Sequence, residues 1–103
     1  MSINANTTGD GKILTISIDG RFDASSLNDF RRSYEDVDAS SLESIIVDLK
    51  NAIHLDSSAL GMLLVLRDFA GGEKSNISIV NCSHEVKKIF TISSFEQLFT
   101  IQG

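Results

Sequence analysis

The run Leu55-Asp56-Ser57-Ser58-Ala59 lies between a short β-branched stretch and an almost wholly apolar one that reads as a helix. Asp and Ser are favoured helix starters because their side-chain oxygens accept from the first free backbone N–H groups. A helix N-terminus also carries a partial positive charge, so a phosphate placed there is held both by the N–H groups and by the dipole. Ser57 is therefore a physically sensible phospho-acceptor, with Asp56 before it and Ser58 after it. The same spacing is met by a serine that does no more than cap the helix. Other reactive side chains are sparse. Cys82 with His84 two residues on could in principle form a nucleophilic pair, but no acidic residue is spaced to assist, and Cys82 reads as a small apolar residue ending a strand. His54 or His84 could serve Ser57 as a base only if the fold aimed one of them at it. Two histidines and one cysteine fall short of the four ligands of a structural zinc site.

These residues need elements to position them. Residues 2–8 alternate weakly, and Gly9-Asp10-Gly11-Lys12 is a turn. Ile13 to Ile18 then alternate with strand period, so the opening reads as a hairpin. The stretch from Gly20 to Ser26 breaks the pattern, with Asp23 or Ser25 placed to cap a helix. Leu27, Phe30, Tyr34 and Val37 form the stripe of an amphipathic helix of about three turns. Ser44 to Leu49 suits a strand buried on both faces, and Lys50 to Leu55 reads as a loop. A second helix over 58–70 is stopped by Gly71-Gly72. A strand at 76–80 follows, then a third helix capped by Ser83 with Val86, Ile89 and Phe90 on its apolar stripe. The tail holds Phe95, Leu98, Phe99 and Ile101 and is expected to pack down as a short helix or last strand. Strands alternating with helices require crossovers, so part of the sheet is parallel, and the hairpin makes it mixed. The expected fold is a single α/β domain over residues 1–103, with a mixed four- to five-stranded sheet and helices mainly on one face.

The second helix has an unusual surface. At about 100° per residue, Ala59, Met62, Leu63, Leu66 and Ala70 fall together and should face the sheet. Ser57, Gly61, Leu64, Val65 and Asp68 fall on the opposite side, with Leu60 at its edge. That side should be polar on an ordinary surface helix. An apolar patch beside a possible phosphate site has the character of a docking surface, unless another segment such as the tail covers it.

The net charge of −5 argues against nucleic acid and anionic membrane surfaces as partners. The longest apolar run, Met62 to Leu66, is far too short for membrane insertion. The start of the chain has neither the basic residues nor the apolar core of a secretory signal, and a single cysteine fits a reducing compartment, so a cytoplasmic location is expected.

The segment from Leu55 to Leu64 resembles the Asp-Ser-Ser-Gly-Leu-Gly signature of the STAS domain, as found in bacterial anti-sigma-factor antagonists. Ile18-Asp19-Gly20-Arg21-Phe22-Asp23 is similar to the family's turn ahead of the first helix. Ser44 to Leu49 is similar to the strand leading into the serine loop, and Val86-Lys87-Lys88-Ile89-Phe90 with Ser93 to the third-helix motif. The resemblance implies a binding protein rather than an enzyme, with no cofactor and no metal. It implies that an ATP-dependent serine kinase phosphorylates Ser57, that the unphosphorylated form binds that kinase-type partner or an anti-sigma factor, and that a metal-dependent serine phosphatase resets the switch. Asp23, Asp56 and Ser58 would be neighbours of the acceptor, and Leu60, Gly61, Leu64, Val65 and Asp68 would meet the partner. A second possibility is a STAS adaptor subunit in a lipid or anion transport assembly, which would not need the acceptor hydroxyl. Ala59 departs from the signature's usual Gly, placing an extra methyl near the acceptor.

Overall fold

The computed structural model describes residues 2–103. β1 (Ser2–Thr7) and β2 (Ile13–Phe22) form the expected hairpin, and β3 (Ser44–Leu55), β4 (Ile77–Val80) and β5 (Thr100–Ile101) complete the sheet. α1 (Leu27–Arg32), α2 (Ser57–Phe69) and α3 (His84–Ile92) lie between them. The strands stand side by side in chain order; β1 is antiparallel to β2 and every later pair is parallel. Strand order explains the layering. Right-handed crossovers that always step in the same direction must all put their helices on the same face. The buried residues agree: Leu14, Ile16 and Ile18 of β2 stand beside Ile45, Val47 and Leu49 of β3, then Ile77 and Ile79 of β4. Ala59, Met62, Leu63 and Leu66 of α2, Phe30 and Tyr34 near α1, and Val86 and Phe90 of α3 are buried in the same core.

Three expectations change. β3 is not buried on both faces: Ile45, Val47 and Leu49 are buried while Ser44, Ile46 and Asp48 are half-buried, because one face has no helix layer. α1 is a shorter helix than the stripe predicted, preceded by a 3-10 turn at Ala24–Ser26, and Leu27 stays 51% exposed. The break read from Gly20 to Ser26 is strand as far as Phe22, and the loop read from Lys50 to Leu55 is strand throughout. β2 and β3 continue as a two-stranded ribbon to the pair Phe22↔Leu55. The register slips twice, once between Ser17 and Asp19 and once between Gly20 and Arg21, each time leaving one extra residue on β3. Each bulge resets the in-out alternation, which erases the period-2 signal from the sequence. Gly20 takes φ +100, a backbone conformation that glycine reaches without a Cβ clash.

The tail combines both expected forms, a 3-10 turn at Phe95–Gln97 followed by β5. It is docked by stacked rings, Phe90 on Phe95 at 5.7 Å and Phe95 on Phe99 at 5.4 Å between centroids. Cys82 is buried just after β4, as its small apolar character suggested, and burial pushes its thiol pKa up. No helix among the described residues is long and apolar enough to cross a membrane.

Candidate functional site

The site lies where the β2–β3 ribbon ends. Phe22 and Leu55 are register partners, and the residue following each is an aspartate that caps a helical turn. Asp23 and Asp56 thus leave the sheet side by side, and two helical N-termini open at the same corner. Asp56, not Ser57, is the N-cap of α2: its carboxylate accepts from the Ala59 N–H at 3.2 Å. The Leu60 N–H donates to the Asp56 carbonyl at 3.3 Å. Ser57 is the first helical residue. Its N–H and that of Ser58 have no hydrogen-bond partner among the described residues, and both side chains are exposed. The alternative that Ser57 is merely the cap is therefore excluded by Asp56 occupying that role.

Asp23 is fastened more tightly. Its carboxylate accepts from the Ser25 hydroxyl and, at 3.0 Å, from the Ser25 N–H, and it pairs with Arg21 Nε at 3.2 Å. The Ser25 hydroxyl is the main cause holding its pKa below the usual carboxylate range, with the Ser25 N–H next and Arg21 behind. Ser26 closes the reciprocal cap. It is fully buried, its hydroxyl donates to the Arg21 carbonyl at 3.0 Å and accepts from the Asp23 N–H at 3.3 Å. These bonds fix the corner beside the start of α2.

α2 presents the faces that its spacing predicts. Ser57, Gly61, Leu64, Val65 and Asp68 are exposed, and Leu60 is half-buried. Leu64 is 40% and Val65 57% exposed, so the tail does not cover them. The structure also separates this surface into parts. Ser58, Gly61 and Val65 line a groove of about 470 Å³ whose opposite wall is Ala24, Leu27 and Phe30, with Arg31 at its side. Leu64 and Asp68 stand on the crest of the helix outside it. Ser58 thus faces an apolar groove, whereas the helical projection alone set it apart from the docking patch. The Ala59 methyl does not lie near the acceptor surface: the residue is fully buried against the sheet.

The groove itself was not foreseen. Two of its lining residues, Phe30 and Tyr34, belong to a chain of rings behind it, Phe22 to Phe30 at 5.1 Å, Phe30 to Tyr34 at 5.7 Å and Tyr34 to Phe69 at 4.9 Å. The sequence signals were Gly61 and Val65 on the exposed face of α2 and Leu27, an apolar residue on the α1 stripe that the structure leaves uncovered. Ile53, 78% exposed at the second bulge of β3, adds another apolar side chain at this end of the sheet. No hydrogen bond among the described residues joins Ser57 to His54 or His84. No group of His, Cys, Asp and Glu among the described residues is arranged to hold a metal ion.

The molecule is thus a small α/β domain with an exposed serine at a capped helix start beside an apolar groove. The STAS-domain family model matches residues 4–103, and the chain belongs to that family. It is 58% identical to a STAS-domain containing protein of Pseudomonas aeruginosa (strain UCBPP-PA14), over 98% of this chain and 99% of that one. Among solved structures it is similar to an anti-sigma factor antagonist from Mycobacterium paratuberculosis, with a TM-score of 0.78 at 18% identity, covering 98% of this chain and 86% of that one. It is also similar to the Bacillus cell fate determinant SpoIIAA in its phosphorylated form, with a TM-score of 0.73 at 16% identity over 97% and 90% of the two chains. These likenesses establish the five-stranded mixed sheet with three helices as the STAS fold.

Proposed function

We propose that this protein is a partner-switching regulator of the anti-sigma-factor-antagonist kind, a binding protein and not an enzyme. Unphosphorylated, it docks an anti-sigma factor or an ATP-dependent serine kinase; phosphorylated on Ser57, it lets go; a metal-dependent serine phosphatase returns it. The observation that carries this reading is the placement of Ser57, exposed as the first residue of a helix already capped by Asp56 and on the same exposed face as the uncovered Leu64 and Val65, about two turns before them. A phosphate there adds about −1.5 to −2 charges at neutral pH. Two free N–H groups can hold it, so the isolated domain tolerates it. Against a partner, the same dianion lands on an apolar contact, and a penalty of about 4 kcal/mol already lowers affinity roughly a thousandfold.

The test has two arms. Unmodified protein is used as bait, and the retained proteins are identified by mass spectrometry. A retained kinase or anti-sigma factor is then incubated with ATP or competed against the phosphorylated chain. One phosphate should appear, on Ser57; Ser57→Ala should stay bound and unlabelled. Phosphate on Ser58 alone, full labelling of Ser57→Ala, or retention only of transport proteins would overturn the reading.

A further inference from the structure

β1 stands first in the sheet, and its outer edge is open. It pairs with β2 without interruption from Ser2↔Asp19 to Thr7↔Leu14. The Thr8 N–H continues that register by donating to the Ile13 carbonyl at 2.9 Å. Hydrogen-bonded and non-hydrogen-bonded pairs alternate along an antiparallel ladder. Counting back from Thr8, residues Asn6, Asn4 and Ser2 turn their backbone groups toward β2. Ile3, Ala5 and Thr7 turn theirs outward, where no strand follows among the described residues. Edge strands are commonly protected by a charge, a proline, a bulge or shortness. Ser2-Ile3-Asn4-Ala5-Asn6-Thr7 has no ionisable residue and no proline, is regularly paired and is six residues long. The opposite edge strand, β5, has two residues.

We propose that β1 is a self-association edge, on which a second copy of this chain adds its own β1 antiparallel across a two-fold axis. The register follows from two conditions. Outward backbone groups must meet outward groups, and side chains of one face must meet the same face. Centring the axis on Ala5 satisfies both, opposing Ala5 to the second copy's Ala5 and Ile3 to the second copy's Thr7. This uses every outward group, about six backbone hydrogen bonds, against about four with the axis at Asn4. On the other face Asn4 meets the second copy's Asn6, two amides that can each donate and accept. The strip contains no charge, although each chain carries −5, so the repulsion between copies is long-range and screened by salt. Ile3, the half-buried member of the strand, is covered further. β1 supplies no residue to the α1–α2 groove, and the pairing requires neither Ser57 nor its phosphate, so this proposal stands independently of the switch.

Sedimentation of the full chain over about 10 μM to about 1 mM tests it, a range suited to a small interface. The mass should rise from 11.2 kDa toward twice that value, more readily in high salt. Ala5→Pro removes one outward N–H and no β1–β2 bond, and should stay at 11.2 kDa. Ala5→Lys sets two cations on the axis and should do the same, which covers the case where proline disturbs the strand. Amide exchange at Ile3, Ala5 and Thr7 should slow about tenfold with concentration while Asn4 and Asn6 stay constant. A mass fixed at 11.2 kDa throughout, or association that survives both substitutions, overturns the proposal.

Discussion

Gly61 offers a substitution in which folding and binding should move in opposite directions. It lies inside α2, lines the groove, and a Cβ built on it meets nothing within 4 Å. Glycine in a helix interior costs about 0.5–1 kcal/mol relative to alanine, mainly through unfolded-chain entropy. Gly61→Ala should therefore stabilise the domain by that amount with no steric penalty. For a chain of this length, about 1 kcal/mol corresponds to a rise of about 4–5 °C in Tm. The new methyl projects into the surface that the proposed partner must approach. If a partner backbone or side chain packs flat there, the methyl displaces it and overpacking costs about 1–3 kcal/mol, or about 5- to 150-fold in Kd. Thermal denaturation and titration calorimetry against the captured partner measure the two effects on one protein. A lowered Tm would mean that the groove closes on Gly61 in solution. A raised Tm with unchanged affinity would remove Gly61 from the interface.

Other substitutions address the core, the crest and the caps. Leu63 is fully buried against the sheet, so Leu63→Ala should lose about 2–5 kcal/mol in urea unfolding; a loss under about 1 kcal/mol would contradict its packing. Leu64→Asp lies on the crest and should fold normally, with its circular dichroism unchanged, while losing the partner; equal binding would refute the surface assignment. Asp10, Asp23 and Asp38 each have a depressed pKa, in every case chiefly from a neighbouring Ser or Thr hydroxyl. A depressed folded-state pKa contributes stability that is present above the unfolded value of about 3.9 and is lost as pH falls through the lower folded value. Urea midpoints should therefore drop below about pH 4, and Asp23→Asn should flatten part of that limb; an unchanged slope would show that the Ser25 bonds do not persist in solution.

The sequence was legible wherever the chain keeps one period. Leu14, Ile16 and Ile18 alternate without interruption, and the α2 stripe Ala59, Met62, Leu63, Leu66 is continuous, so both buried faces could be read directly. Two bulges hide the ribbon from Asn51 to Leu55, because each extra residue inverts the alternation that identifies a strand. That ribbon is what places Asp23 next to Asp56, and so the twin-capped corner was invisible as a unit: Asp23 was one of two candidate caps with Ser25, and on α2 the capping role was weighed for Ser57, whereas Asp56 fills it. The groove was hidden for a different reason. A helical projection assigns residues to faces of one helix, whereas a groove depends on how far apart two helices stand. Leu27 and Val65 were each visible as apolar residues; that they face one another across open space depends on the packing of α1 against α2.

The position of Ser57 also determines how a switch there must work. Its hydroxyl takes part in no hydrogen bond among the described residues, and the cap beneath it is supplied by Asp56. Removing or modifying the hydroxyl therefore breaks nothing in the fold. A negative charge on the first helical residue interacts favourably with the helix dipole, typically by about 0.3–1 kcal/mol. Ser57→Asp should consequently keep or slightly raise the Tm, and Ser57→Ala should leave it within about 0.5 kcal/mol of the parent. Partner affinity should separate the two sharply: alanine binds as the parent does, and aspartate binds weakly. The aspartate defect should be smaller than that of phosphate, since it carries one charge against nearly two. Release by surface charge alone requires this combination of intact stability and lost affinity. If Ser57→Asp instead lowers the Tm by several degrees, the charge is being read through the fold, and the switch operates by loosening α2 rather than by repelling what docks on it.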